Sequence, residues 1–159
     1  LSGNYGINSS FINTILPEKS YSSLEILYLD YTQVDQDLDL SKFKKLTCLV
    51  LKRCKKLNLL LIRKISESGL VKTLRILDIS HNKKLFSEIN KKAENELIAF
   101  EGEDKFAFYI SQLRSLEQLM IIDCVHYQLL KTYILQIQKA FNHSQHKNLE
   151  IGFGMGYIM

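Results

Sequence analysis

The sequence predicts an α/β fold in which a repeated unit lays down one short parallel strand per turn. Three observations carry this. Segments of twelve residues starting at Leu24, Leu46, Leu74 and Leu116 align without gaps, each with Leu or Ile at its first, fourth and sixth positions. The fourth and sixth positions share one face of a strand, because strand side chains alternate. The segments recur after 22, 28 and 42 residues, room for a strand and a return element, and one such unit cannot bury its apolar face without a neighbour stacked on it.

The first element is the opening "LSGNYGI", where Leu1, Asn4 and Ile7 have the spacing of Ile79, Asn82 and Leu85. It therefore reads as positions six to twelve of a further unit, with Leu1 in the sheet and Asn4 at the turn. The units are 1–23 (partial), 24–45, 46–73, 74–115, 116–148 and a terminal strand or cap at 149–159, giving about five to six strands. "NSSFINTIL" predicts a helix with Phe11, Ile12, Ile15 and Leu16 as its stripe, Ser9 or Ser10 as cap, and Pro17 limiting it. Unit 24–45 has no room for a full helix. In unit 46–73, Leu61, Ile62 and Ile65 form a helical face and Gly69 is placed as a stop. Unit 74–115 is long enough for an inserted helix. One stripe runs Phe86, Ile89, Ala93, Leu97, Phe100; a second runs Phe106, Ile110, Leu113 with Asp104 as cap. The acidic group Glu101, Glu103, Asp104 sits at the break between them. Leu130, Tyr133, Ile134, Ile137 and Phe141 predict a last helix ending at Asn142. Leu149, Ile151, Phe153, Met155 and Tyr157 alternate as an edge strand. Gly152, Gly154 and Gly156 form no phosphate loop, since no Lys-Ser/Thr and no helix come after them.

The pattern LxxLxLxx, followed by Thr32, Cys54, Asn82 or Cys124 at position nine, resembles the leucine-rich repeat. The Cys/Asn mixture is similar to its cysteine-containing and ribonuclease-inhibitor-like subclasses. The resemblance implies a solenoid with a parallel concave sheet, irregular convex helices, and an inward position-nine side chain bonded to the backbone. It places Ile26, Cys48, Ile76 and Gln118, then Tyr28, Val50, Asp78 and Met120, then Asp30, Lys52, Ser80 and Ile122, and finally Tyr31, Arg53, His81 and Asp123 along the concave side. Cys48 is the one cysteine expected near a surface.

Composition sets limits on the function. The chain has 159 residues, 46% hydrophobic and 24% charged, with a net charge of +4. That fits one folded domain. The charges are interspersed, so no nucleic acid is expected. No apolar run approaches the roughly 20 residues of a membrane span. Three cysteines form no disulfide framework, which points to an intracellular protein, in the cytoplasm or alternatively the mitochondrion.

No catalytic, cofactor or metal constellation emerges. Asp78, Ser80 and His81 lie close in sequence, but Ser80 and His81 point to opposite faces and build no triad. His143 and His146 lack further ligands at zinc spacing. The chain is therefore read as a non-enzyme without cofactor: a protein-interaction module. Its candidate binding residues are Tyr28, Asp30, Tyr31, Lys52, Arg53, Asp78, His81, Met120, Ile122 and Asp123, since Tyr and Arg anchor interfaces and outward Met and Ile call for cover. The alternative is a structural or spacer subunit of a large assembly. The repeat is also similar to those of F-box ubiquitin ligases and nucleotide-binding immune receptors. Upstream repeats or a neighbouring chain are expected against Leu1–Ile7.

Overall fold

The computed structural model describes residues 1–86, 105–124, 134–141 and 149–152. Five three-residue strands form one parallel sheet in chain order: β1 (Ile26–Tyr28), β2 (Cys48–Val50), β3 (Ile76–Asp78), β4 (Gln118–Met120) and β5 (Glu150–Gly152). The register puts Leu27, Leu49, Leu77, Leu119 and Ile151 in one row. The pairing continues past the strands. The position-six amides of Leu29, Leu51, Ile79 and Ile121 donate to the carbonyls of Val50, Asp78, Met120 and Gly152 at 2.9, 2.7, 2.9 and 3.2 Å.

The leucine ladder is the core. Leu27, Leu29, Leu49, Leu51, Leu77, Ile79, Leu119 and Ile121 are all at most 5% exposed, and Leu46, Leu74 and Leu116 lie with them. Helical side chains close the cluster from the other side, among them Ile12, Ile62, Ile65, Ile110, Ile137 and Phe141.

Pairing of the opening stretch matches the register of later units. The Gly3 amide donates to the Asp30 carbonyl (2.8 Å), the step that Tyr31, Arg53 and His81 make to Lys52, Ser80 and Ile122. Like its counterparts Leu29, Leu51, Ile79 and Ile121, Leu1 lies outside the three-residue strands, but unlike them it is 47% exposed. The pairing starts only at Gly3, so Leu1 lies beyond the sheet edge. Asn4 is also exposed and bonds the nearby Gly6 amide instead of an interior group.

Helix α1 (Ser9–Ile15) is capped by Asn8, whose Oδ1 accepts from the Phe11 amide at 2.9 Å. Neither Ser9 nor Ser10 is the cap. Ser9 is buried, and its hydroxyl is engaged by the Asp35 carboxylate and amide. Pro17 does end α1, but a second short helix, α2 (Glu18–Ser23), starts at once. Its Tyr21 packs edge-on against Phe43 and donates to the Ile12 carbonyl. Unit 24–45 holds only a single-turn 3-10 segment, Leu40–Lys42.

Helix α3 (Leu59–Glu67) buries Leu61, Ile62 and Ile65, and Asn58 caps it. Its stop is Ser68, whose amide and hydroxyl both return to the Ile65 carbonyl. Gly69 is not the terminator; it opens the 3-10 turn Gly69–Lys72. Helix α4 (Lys105–Ser111) buries Phe106 and Ile110. Phe106 meets Phe86 of the 3-10 turn Lys83–Phe86 edge-to-face at 4.9 Å. Residues 134–141 are helical, with Ile137 and Phe141 inward. The expectations at Ile89, Ala93, Leu97, Phe100, Glu101, Glu103, Asp104, Leu130, Tyr133, Asn142, His143, His146, Phe153, Gly154, Met155, Gly156 and Tyr157 fall outside the described residues. Among the described residues no helix is long and apolar enough to cross a membrane.

Candidate functional site

Each chain turn leaves the sheet in the same way. Residue eight of the first five units is left-handed: φ is +80° at Gly3, and 60°, 52°, 62° and 53° at Tyr31, Arg53, His81 and Asp123. A non-glycine residue there costs about 1 kcal/mol or more, so the surroundings must hold it. Position nine does the holding. The Cys54 thiol donates to the Leu29 carbonyl (3.1 Å), Asn82 Nδ2 to the Leu51 carbonyl (2.8 Å) and the Cys124 thiol to the Ile79 carbonyl (3.2 Å). In each pair, position nine reaches position six of the preceding unit. Thr32 turns back to its own Leu29 carbonyl at 2.7 Å. This spine fixes where the four position-eight side chains stand.

The spine also makes the cysteines inert. All three are buried. Burial pushes the Cys54 thiol up and the Cys124 thiol up to about 12. Cys48 is not near the surface as expected; β1 and β3 flank β2 on both sides, so it is 9% exposed. Burial first, then the Asp78 charge, raises its pKa. Thiolate is the reactive species. At pH 8 a thiol reagent is expected to leave the native protein unmodified and to label it fully in denaturant. Because folding favours the protonated thiols, this contribution to stability is lost as pH rises above the unfolded value of about 8.5. Rapid native labelling of Cys124 would contradict the placement of the spine.

The candidate residues separate into three environments. On the sheet, Tyr28 is exposed, and beside it Ile26 is equally so, at 51% each. Further across the sheet, the face closes. Val50 is buried, and Asp78 is buried rather than open to a partner. Lys52 Nζ sits 2.9 Å from Asp78 Oδ2, while Asp78 Oδ1 accepts from the Ser80 amide. The hydrogen bond to Asp78, then the Asp78 and Asp30 charges, hold the Lys52 pKa above its usual value against desolvation. Asp30 accepts from the Ser2 hydroxyl and the Lys52 amide. Met120 is half-buried because it lies across Gly152, where an added Cβ would collide with its sulfur. Ile122 is half-buried, its amide bonded to Ser80 Oγ.

The third environment is the rim at the strand ends. Arg53 lies over the Tyr31 ring at 5.2 Å and donates to its hydroxyl. Tyr31 meets Tyr5 edge-on at 6.1 Å, and Lys55 lies over the Tyr5 ring at 5.0 Å. With His81, Lys83 and Lys84, these side chains border an open groove of about 560 Å³. Two of the bordering side chains pair with Asp123: Lys83 at 3.1 Å and His81 at 3.4 Å. Desolvation raises the Asp123 pKa, but the hydrogen bonds and charges of Lys83 and His81 outweigh that and hold the carboxyl below its usual value. Sequence reasoning named Tyr31, Arg53, His81 and Asp123 as concave-side candidates, of which the first three border this groove, and did not name Tyr5, Lys55, Lys83 or Lys84. A signal for the lysines was present: positions ten and eleven are Lys-Lys in two successive units, 55–56 and 83–84. Among the described residues no group of His, Cys, Asp and Glu side chains could hold a metal ion.

Compared with family models, curated proteins and solved structures, the chain matches none.

Proposed function

We propose that this chain is a leucine-rich-repeat solenoid acting as a non-enzymatic protein-interaction module, which takes its partner on the β1 side of the sheet and the adjoining rim. The observation that carries the reading is the neighbouring pair Ile26 and Tyr28, each 51% exposed on a sheet whose centre is closed. Large amphipathic and aliphatic side chains held rigidly by a strand make efficient contacts, since little side-chain entropy remains to be lost. Tyr31 and Arg53 extend the same patch, already fixed by one another. The strict chain order of the strands and the repeated position-nine bonds support the repeat assignment. The reading extends to Leu1–Ile7: further repeats or a neighbouring chain are proposed to pack over exposed Leu1. A spacer role in a larger assembly is the competing reading. It would leave Ile26 and Tyr28 without a partner.

A photo-crosslinking residue at Tyr28 is expected to capture one discrete partner in cells, and the same residue at exposed Lys72 none. Tyr28→Ala with Ile26→Ala should abolish crosslinking from a probe at neighbouring Glu25. Equal capture from positions 28 and 72, or capture from 25 that survives the double substitution, would overturn the reading.

A further inference from the structure

The rim groove has a charge that the rest of the face lacks. Arg53, Lys55, Lys83 and Lys84 border it on two successive turns. Among the described residues only Asp123 forms an ion pair with any of these four, and it reaches Lys83 alone. Three cations thus face the groove with no carboxylate of the described residues within ion-pair distance. Two aromatic rings stand among them, Tyr31 holding Arg53 and Tyr5 beneath Lys55. The guanidinium is set in place before any ligand arrives. That lowers the ordering cost of using it, and its planar donor fork suits a carboxylate.

We propose that the groove binds an acidic peptide segment of the partner protein, with carboxylates on Arg53, Lys55 and Lys84 and an apolar side chain against Tyr5 and Tyr31. The proposal rests on the protein-binding reading above and names the chemistry of the partner. Charge complementarity selects an acidic ligand. The arrangement favours a peptide over a nucleic acid. The cations sit on two successive turns beside two rings, with Asp123 paired to Lys83, whereas a phosphate backbone needs an extended basic track. An extended peptide places alternate side chains on one side, so carboxylates can reach Arg53 and Lys55 at the two ends of the joined Tyr31 and Tyr5 rings while an apolar residue between them meets the rings.

The test is fluorescence anisotropy with the purified chain and a labelled synthetic peptide alternating Glu with Leu and Phe. The controls are the same peptide with Gln for Glu and a single-stranded oligodeoxynucleotide of equal charge. The Glu peptide is expected to bind, more weakly as salt rises, and the Gln peptide to bind about tenfold or more weakly than that. Lys55→Glu with Lys84→Glu should weaken the Glu peptide by a similar or larger factor. Arg53→Gly should also weaken it while the melting temperature holds, since glycine accepts the left-handed backbone freely. Equal binding of the Gln peptide, full affinity in the charge-reversed variant, or an oligonucleotide binding more tightly than the peptide would overturn the proposal. The two readings fail separately. No peptide binding with Tyr28 capture intact removes only the acidic ligand. Peptide binding without any Tyr28 capture removes the sheet face as the partner surface.

Discussion

Asn82→Ala is expected to destabilise the protein by about 2–5 kcal/mol, because it strips polar backbone of its partners inside the core. The Asn82 side chain accepts from the Cys54 amide at 2.8 Å and donates to the carbonyls of Leu51 and Ile79 at 2.8 and 2.7 Å. It is 5% exposed, so water does not readily replace these bonds. The alanine variant leaves the Cys54 amide and the Leu51 carbonyl facing a small void. Its neighbours define two informative replacements. Asn82→Cys imitates Cys54 and Cys124, which keep the bond to the preceding unit's carbonyl; it should cost less than alanine. Asn82→Asp keeps the acceptor, loses the donors and buries a charge against carbonyl oxygens, so it should cost the most. Chemical denaturation of the three variants checks the order. If alanine proves as stable as cysteine, the position-nine bonds do not hold the turns together.

Much of this frame is legible in the sequence because its cause is local. The period of two at positions four and six determines which side chains enter the core, and all eight of those in the four aligned segments are buried. The alignment of Asn4 with Asn82 likewise placed Gly3 at the step where its amide meets Asp30. What was not legible depends on partners from other turns. Ser9 looks like a helix cap, yet Asp35, remote in sequence, claims its hydroxyl. Cys48 and Asp78 hold nominally outward positions, but an inner strand is covered from both sides, and Lys52 lies over the carboxylate. Ser68 takes over the stop that Gly69 was expected to provide, because its hydroxyl can return to the Ile65 carbonyl. The left-handed φ at position eight had no compositional mark. Tyr, Arg, His and Asp occupy a position where, among the described residues, Gly3 alone is the residue that the backbone prefers.

That choice bears on the candidate site. Glycine at 31, 53, 81 and 123 would relax the backbone at each step. The chain instead keeps large or ionisable side chains there, and three of them border the groove. The left-handed step itself belongs to the turn, since it recurs at Gly3 and Asp123 outside the groove; the side chains kept on it support the proposed binding role. The same positions give variants that separate the two. A glycine substitution removes the side chain without loosening the turn, so a binding defect in such a variant has no unfolding component.

Leu49→Ala tests the packing that positions this surface, with an expected cost of about 2–5 kcal/mol. Leu49 is 0% exposed and sits on β2, in register with Leu27 on one side and Leu77 on the other. Its truncation opens a void bounded by backbone on both flanks, and parallel strands hydrogen-bonded on each side cannot collapse into it. Leu60 supplies the contrast. It belongs to α3 but is 56% exposed, so Leu60→Ala should change stability by less than about 0.5 kcal/mol. Thermal and urea unfolding of both variants would measure the difference. Damage from the void should also reach the groove. Leu49 lies between the turns that carry Tyr31 and His81, so Leu49→Ala should weaken the acidic peptide even where the protein remains folded. Leu60→Ala should leave its affinity unchanged. A Leu49 variant with native stability would mean that the ladder side chains do not point into the core.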